Sequence, residues 1–447
     1  MQWSKYNYIY DSPKHGMLLF NLISGAFIDI SDPEVQAEIF KLKESPDSYD
    51  FSKDKENYDF LLSAGVICEN DEDNRSMMNF KLLANRFHPM ARSLTILPTL
   101  NCNLACKYCF EEAHRRAGKM SRKVVEKLKQ HIKEQYVHGR KKEYMDLRWF
   151  GGEPLLGFDI MEEITEYVKS LKIPFNASII TNGILLTDKK IQKLASMHMH
   201  HIQITLDGAR ETHDKKRIFR NGKGTYDIIL KNITKLHKYV EQNKNIQVDI
   251  RINVDKESQD QYHILYNEFK EKYPLFYVYP GIITQYQTCS TTLPCFANQR
   301  EEAEFYIRQY EKYGIIHPEF NISSKGMRNC MAECIHTDMV GPKGELYLCL
   351  QDVGNKDAEI GSLFEGKNNL RLISSYCSGN FTFNSNECRD CEIVTFCGGG
   401  CVNRRYRSKK YGEKHDMCAG YKDKEIFNKY LDLHYEIKKN NARKQAK

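Results

Sequence analysis

A chain of 447 residues is too long for one average domain and far too long for a disulfide-stapled miniprotein, so two or three units with their own cores are expected. Hydrophobic residues at 41% and charged residues at 28% exclude a disordered composition, and no run approaches the roughly 20 apolar residues of a membrane helix. The net charge of +7 is modest for this length and points to neither nucleic acid nor membrane, and the start Met1-Gln2-Trp3-Ser4-Lys5 lacks a signal-peptide core, so a cytoplasmic setting is expected.

Residues 1–85 read as a small α+β module. Alternating runs at Tyr6–Tyr10, Leu18–Leu22 and Ala26–Ile30 predict strands, with a turn at Ser24-Gly25. Ser31, Pro33 and Glu34 form a helix-start signal, a capping box with proline early in the first turn, before periodic Val35, Ile39 and Leu42. Residues 44–57 read as a loop, and a second helix near Tyr58–Leu62 ends at Gly65 before Val66-Ile67-Cys68.

Over residues 93–320 strand and helix patterns alternate. Apolar runs fall at Leu94–Leu97, Leu147–Phe150, Ala177–Ile180, Ile202–Leu206, Val248–Val254 and Phe276–Tyr279. Helical patterns at Val124–Tyr136, Ile160–Leu171, Lys189–Met197, Tyr226–Tyr239, Gln259–Phe269 and Glu301–Tyr313 separate or follow them. Such repeats predict an α/β fold, a partial (β/α)6 barrel with its active site at the C-terminal strand edge. Residues 321–420 lose apolar periodicity and are rich in cysteine, glycine and asparagine, so metal is the expected source of their stability; residues 421–447 read as a polar, lysine-rich tail, a surface helix with a frayed end.

The 15 cysteines favour metal ligation in a reducing compartment. Cys102-x3-Cys106-x2-Cys109 directly follows the first barrel strand. Three thiolates this close suit a metal cluster and leave one iron of a cubane with an open position. Zinc held by the three cysteines and a histidine such as His114 is the alternative. At these residues the sequence resembles the radical S-adenosylmethionine (SAM) superfamily, whose signature is this triplet with an aromatic before the last cysteine, here Tyr108. Gly151-Gly152-Glu153-Pro154 after the second strand matches the family element that binds the SAM amino group. Thr181-Asn182-Gly183 follows the third strand, and Thr205-Leu206-Asp207-Gly208 with His213-Asp214 and Arg217 follows the fourth. The resemblance implies cofactor contacts from Tyr108, Gly151, Gly152, Glu153, Pro154, Thr181, Asn182, Thr205, Asp207, Arg217 and Asn253. Glycines admit a close backbone, Glu153 can accept hydrogen bonds from an ammonium, and Arg217 can clamp a carboxylate.

Cys334-x9-Gly344-x4-Cys349, then Cys388-x2-Cys391-x5-Cys397-x3-Cys401 and Cys418, resemble the SPASM extension, which holds two auxiliary 4Fe-4S clusters. With Cys330 as an eighth ligand, the resemblance implies one cluster on Cys330, Cys334, Cys349 and Cys401 and another on Cys388, Cys391, Cys397 and Cys418, three 4Fe-4S clusters in all. Spacing alone shows only eight available ligands, and two four-cysteine zinc sites are the alternative. Cys68, Cys289, Cys295 and Cys377 read as buried apolar cysteines, with Cys289 and Cys295 near the open end of the barrel.

The resemblance implies an oxidoreductase that cleaves SAM and acts on a peptide or protein, fed by an electron donor such as flavodoxin or ferredoxin. The N-terminal module, a winged-helix-like α+β unit, resembles the leader-recognition domain of ribosomal-peptide maturases. A precursor peptide with a leader is then the expected partner and an intramolecular crosslink, thioether or carbon–carbon, the expected product. An anaerobic sulfatase maturase is the second reading; that family places a catalytic aspartate directly after the cysteine matching Cys349, where this chain has Leu350, leaving Asp352 as the candidate acid/base. A third is a non-catalytic zinc protein binding nucleic acid through Arg404–Lys410.

Overall fold

The computed structural model describes residues 1–46, 54–88, 92–109, 111, 118–283, 294–317, 330–379 and 385–445. The chain opens on β1 (Gln2–Trp3), followed by β2 (Asn7–Ser12), β3 (Gly16–Asn21) and β4 (Phe27–Asp29), which form an antiparallel sheet in the order β2-β3-β4. Leu18, Leu19 and Phe20 of β3 are all fully buried, an unbroken apolar run that fits a strand covered on both faces. Behind Leu19, helices α1 (Pro33–Glu44) and α2 (Lys55–Ser63) contribute Ile39, Leu42 and Leu61 to one cluster with Val66 and Ile67. Asp32, rather than Ser31, caps α1, its carboxylate accepting from the amides of Glu34 and Val35, with Pro33 in the first turn. Half of the expected 44–57 loop, residues 47–53, lies outside the described residues, and Glu44 and 55–57 belong to α1 and α2. β5 (Ile67–Cys68) pairs with β1, and α3 (Asp71–Phe87) follows, a helix absent from the sequence reading; acidic Asp71, Glu72 and Asp73 in its first turn and buried Met78 and Leu82 are its signals.

The alternation after residue 93 becomes β6 (Ser93–Ile96), α4 (Arg122–Tyr136), a small hairpin of β7 (Val137–His138) and β8 (Lys141–Lys142), β9 (Met145–Trp149), α5 (Phe158–Ser170), β10 (Phe175–Thr181), α6 (Asp188–Ser196), β11 (Met199–Leu206), α7 (Arg210–Lys216), α8 (Tyr226–Asn243), β12 (Gln247–Val254), α9 (Tyr262–Lys272) and β13 (Tyr277–Ile282). The six strands of these repeats run parallel in the order β13-β12-β11-β10-β9-β6, each crossing over through helix, as the repeats predict. α10 (Gln299–Tyr313) comes next. The sheet then continues, since β14 (Thr337–Val340) lies parallel to β6, and β15 (Glu345–Tyr347), β16 (Gly361–Ser362) and β17 (Gly366–Lys367) extend it antiparallel. These strands have two to four residues each, too short to show a period in the sequence.

Beyond α11 (Leu370–Ser374), α12 (Asn386–Arg389), α13 (Val394–Cys397) and α14 (Val402–Tyr411) are short, and α15 (Lys424–Gln445) ends the chain. Rather than a solvated tail, α15 buries Ile426, Phe427, Tyr430 and Leu431 and covers the N-terminal sheet: Phe427 packs edge-on to Tyr8 at 5.0 Å, Tyr435 to Phe27 at 5.3 Å, and Tyr8 Oη donates to Asn428 Oδ1 at 2.8 Å. Two compact units result. One holds residues 1–86, 297–330 and 379–447, the other 87–296 and 331–378, a grouping that joins the N-terminal module to the C-terminal helix. No helix among the described residues is long and apolar enough to cross a membrane.

Candidate active site

The loop after β6 is held at its base and along its length. Thr99 Oγ1 donates to the Gly118 carbonyl at 2.7 Å, and the Ala105 and Lys107 amides donate to the carbonyls of Ile218 and Lys216 at 2.8 and 3.1 Å. Gly151 and Gly152 pack directly under this loop. Gly151 has φ +121°, and a Cβ on it would strike the Thr99 carbonyl; one on Gly152 would strike the carbonyls of Leu100 and Asn101. These glycines therefore let the cysteine loop settle on the end of β9, besides lining the cavity that opens there.

That cavity, about 270 Å³, lies wholly within the second unit. Cys102, Cys106 and Cys109 line it together with Tyr108, Gly151, Gly152, Thr181, Asn182, Thr205, Arg217 and Asn253, so most of the expected contacts meet at one place. Asn182 Nδ2 reaches Cys102 Sγ at 3.7 Å. Burial, above all, pushes the Cys106 thiol up to about 12; Arg217 opposes this, and Asp207, Cys109 and Cys102 add to it. A cationic cluster would offset this penalty and hold the three cysteines as thiolates. Among the described residues no three His, Cys, Asp or Glu side chains converge on a single ion; thiolates of a cubane each bind a different iron and do not converge either. His114, the alternative zinc ligand, lies outside the described residues.

Glu153, Pro154 and Asp207 do not line the cavity. Glu153 is fully buried, and its carboxylate accepts from the Leu155 amide at 3.0 Å, Thr181 Oγ1 at 2.8 Å and the Asn182 amide at 2.8 Å. It ties the end of β9 to the end of β10 and so orients Thr181 and Asn182. Burial raises its pKa against those hydrogen bonds. Asp207, also fully buried, accepts from Arg217 Nε and Asn253 Nδ2, each at 2.9 Å, and from Tyr108 Oη. Arg217 Nη2 donates to Tyr108 Oη at 2.6 Å. Tyr108 and Arg217 are thus bonded into a wall whose charge Asp207 balances, and the guanidinium stands partly committed. Asp352 is 4% exposed, accepts from Tyr376 Oη at 2.6 Å, and leaves the cavity wall to Leu350 and Gln351.

Phe150, Gln203, Arg251, Ile282 and Gln351 also line the cavity and escaped the sequence reading. Gln203 and Arg251 carried a signal: each is a polar residue on the same strand face as Thr205 or Asn253, two residues before it.

The C-terminal cysteines divide between the units. Cys388, Cys391, Cys397, Cys401, Cys418 and Cys330 belong to the first, Cys334 and Cys349 to the second. Within the first, Cys391 and Cys418 each feel the charge of Cys388 and Cys397, so those four thiols are neighbours. Gly400 has φ +76° and abuts the Met417 carbonyl, which fastens this loop next to Cys418. Arg405 Nη2 donates to Cys388 Sγ at 2.7 Å, and Arg407 pairs with Glu413. The basic run 404–410 is therefore partly engaged within the chain. Cys68, Cys295 and Cys377 are buried or half-buried, and Cys289 lies outside the described residues.

Residues 96–262 match the Radical SAM superfamily, so the chain carries a radical SAM domain, which implies a 4Fe-4S cluster and SAM. A cysteine-type anaerobic sulfatase-maturating enzyme of Clostridium novyi is 29% identical over 191 residues, 40% of this chain and only about half, 48%, of that enzyme. The radical SAM cyclopropyl synthase TigE of Paramaledivibacter caminithermalis is 24% identical over 369 residues, 74% of this chain and 72% of TigE. In fold, anSMEcpe with bound AdoMet and Cp18Cys peptide superposes with a TM-score of 0.58 at 18% identity, covering 79% of this chain and 99% of its own. SuiB of Streptococcus suis gives 0.50 at 18% identity, covering 91% and 97%.

Proposed function

We propose that this chain is a peptide maturase that abstracts hydrogen from a ribosomally made precursor and installs an intramolecular crosslink, thioether or carbon–carbon. The observation that carries the reading is the meeting of Cys102, Cys106 and Cys109 with Gly151, Gly152, Thr181, Asn182 and Thr205 around one cavity. When bound, a cluster on the three cysteines would supply one electron to cleave SAM into methionine and the 5′-deoxyadenosyl radical, which takes a hydrogen atom from substrate. The protein's part is to orient and to exclude water. Ile180, Ile282, Ile283 and Phe150 supply apolar wall, while Asn182 and Thr205 offer hydrogen bonds to SAM. The eight C-terminal cysteines are assigned to two auxiliary 4Fe-4S clusters in the sets given above.

A leader-bearing peptide suits the N-terminal module, where β2 and β4 are edge strands of a three-stranded sheet and an extended leader can add to an edge. The similarity to TigE and to the peptide-bound anSMEcpe fold supports a peptide substrate. Sulfatase maturation is the less favoured activity because Leu350 faces the cavity where that family has its base, and Asp352 is turned to Tyr376. The test uses the full chain, reconstituted anaerobically with iron, sulfide, SAM and reductant, since α15 covers the module and truncation would uncover it. Release of 5′-deoxyadenosine should vanish in Cys102→Ala, Cys106→Ala and Cys109→Ala, and a crosslink should form in a precursor peptide only when its leader is attached. Persistent deoxyadenosine in the triplet variants would refute the cluster assignment, and equal modification of leaderless peptide would refute the recognition role.

A further inference from the structure

We propose that Arg251 is the substrate anchor of this cavity, a guanidinium that takes a carboxylate of the peptide; the inference rests on the peptide reading above. Arg251 and Asn253 stand two residues apart on β12, project from the same face, and both line the cavity. Strand register sets Asn253 beside Gly281 and Arg251 one pleat deeper, between Thr205 of β11 and Tyr279 of β13. Asn253 Nδ2 is bonded to Tyr108 and Asp207. Arg251 Nε is buried and meets no acceptor among the described residues, and Asn253 Oδ1 beside it meets no donor.

Charge sets Arg251 apart from the other cations of this region. Arg217 is countered by Asp207 and Lys216 by Asp255. Arg251 forms no such ion pair among the described residues. A guanidinium held this way lacks an anion, and its planar fork matches a carboxylate in two parallel hydrogen bonds. Gly281 completes the arrangement: a Cβ there would overlap Arg251 Nε and press on Asn253 Oδ1 at 2.7 Å, so the missing side chain is what gives the guanidinium its place against β13.

SAM also brings a carboxylate. The resemblance gives Arg217, which is bonded into the wall beside Tyr108, as the clamp for that carboxylate, which leaves the Arg251 guanidinium for the substrate.

Binding measurements on SAM-loaded holoenzyme, needing no turnover, separate the two sources. The probes are N-acetylaspartate methylamide and its asparagine counterpart, followed by saturation-transfer NMR, with SAM affinity measured by calorimetry. Arg251→Gln should weaken the aspartate probe about tenfold and leave the asparagine probe unchanged. SAM affinity should stay within about twofold of wild type, because a group untouched by the cofactor contributes nothing to its binding. Arg251→Lys, which keeps a cation and the fold, should restore part of the loss, and Gly281→Ala should weaken the aspartate probe by displacing the guanidinium. Equal aspartate binding in wild type and Arg251→Gln overturns the proposal. So does loss of SAM affinity with the aspartate probe unmoved, which would make the carboxylate the cofactor's own. The peptide reading is judged separately, by crosslink formation in the wild type.

Discussion

His213 shows how a single tautomer organises the wall of the active site. The Asp207 amide donates to its Nδ1 at 3.2 Å, so the ring proton sits on Nε2 and donates to Thr225 Oγ1 at 2.9 Å, and Thr225 in turn donates to the Arg217 carbonyl at 2.6 Å. Burial lowers the His213 pKa to about 4; Asp207 resists and Arg217 assists. The folded value lies below the unfolded one of about 6.5, so the contribution is whole above pH 6.5 and is lost as pH falls toward 4. The loss amounts to about 3 kcal/mol at about 1.4 kcal/mol per pKa unit. Urea unfolding midpoints measured from pH 7 to pH 4 should therefore fall more steeply for wild type than for His213→Gln, and parallel curves would contradict the buried neutral histidine. At this scale the sequence was legible in its residue types more than in their duties. The glycine pair and Glu153 could be picked out by motif, yet the glycines also seat the cysteine loop and Glu153 joins two strand ends, because roles set by neighbours about 30 to 50 residues away leave no local pattern.

Among the elements, α15 tests how far composition misleads. Its lysines suggest a solvated helix, but Ile426, Tyr430 and Leu433 recur at helical spacing beside Phe427, Leu431 and His434, and all six are nearly or fully buried. Tyr430 is fully buried and packs on Phe396 at 5.2 Å and Tyr421 at 4.4 Å. Tyr430→Ala should cost about 3–5 kcal/mol of stability, as aromatic truncations in a core do. Phe80, 72% exposed on α3, is the control, and Phe80→Ser should change stability by less than about 0.5 kcal/mol. Thermal melts of the two variants would settle it, and similar losses would mean that α15 does not hold a core. The six parallel strands were legible because buried strands read as apolar runs at regular spacing. The β14–β17 extension was not, since strands this short are fixed by pairing partners and leave no run to read.

For the whole molecule, the order of the chain and its division into compact units differ. The first unit gathers three separated stretches, and its segment 385–420 is built from short helices and turns, with Ile393, Val394, Phe396 and Val402 as its few buried apolar side chains. Such a segment gains little from apolar burial and depends on whatever its cysteines bind, whereas the second unit has the fully buried strand interiors of β9 to β12. Iron removal should then act unevenly. Hydrogen exchange on holo and iron-chelated protein should show protection lost across residues 388–418 and kept in β9, β10, β11 and β12, because opening free energies vary by region and a ligand stabilises the region that binds it. Exchange that is the same in both forms across 388–418 would show that this segment is held by packing alone. Loss spread equally over β9–β12 would mean instead that metal and sheet fold as one cooperative body, which the dry interior of those strands argues against.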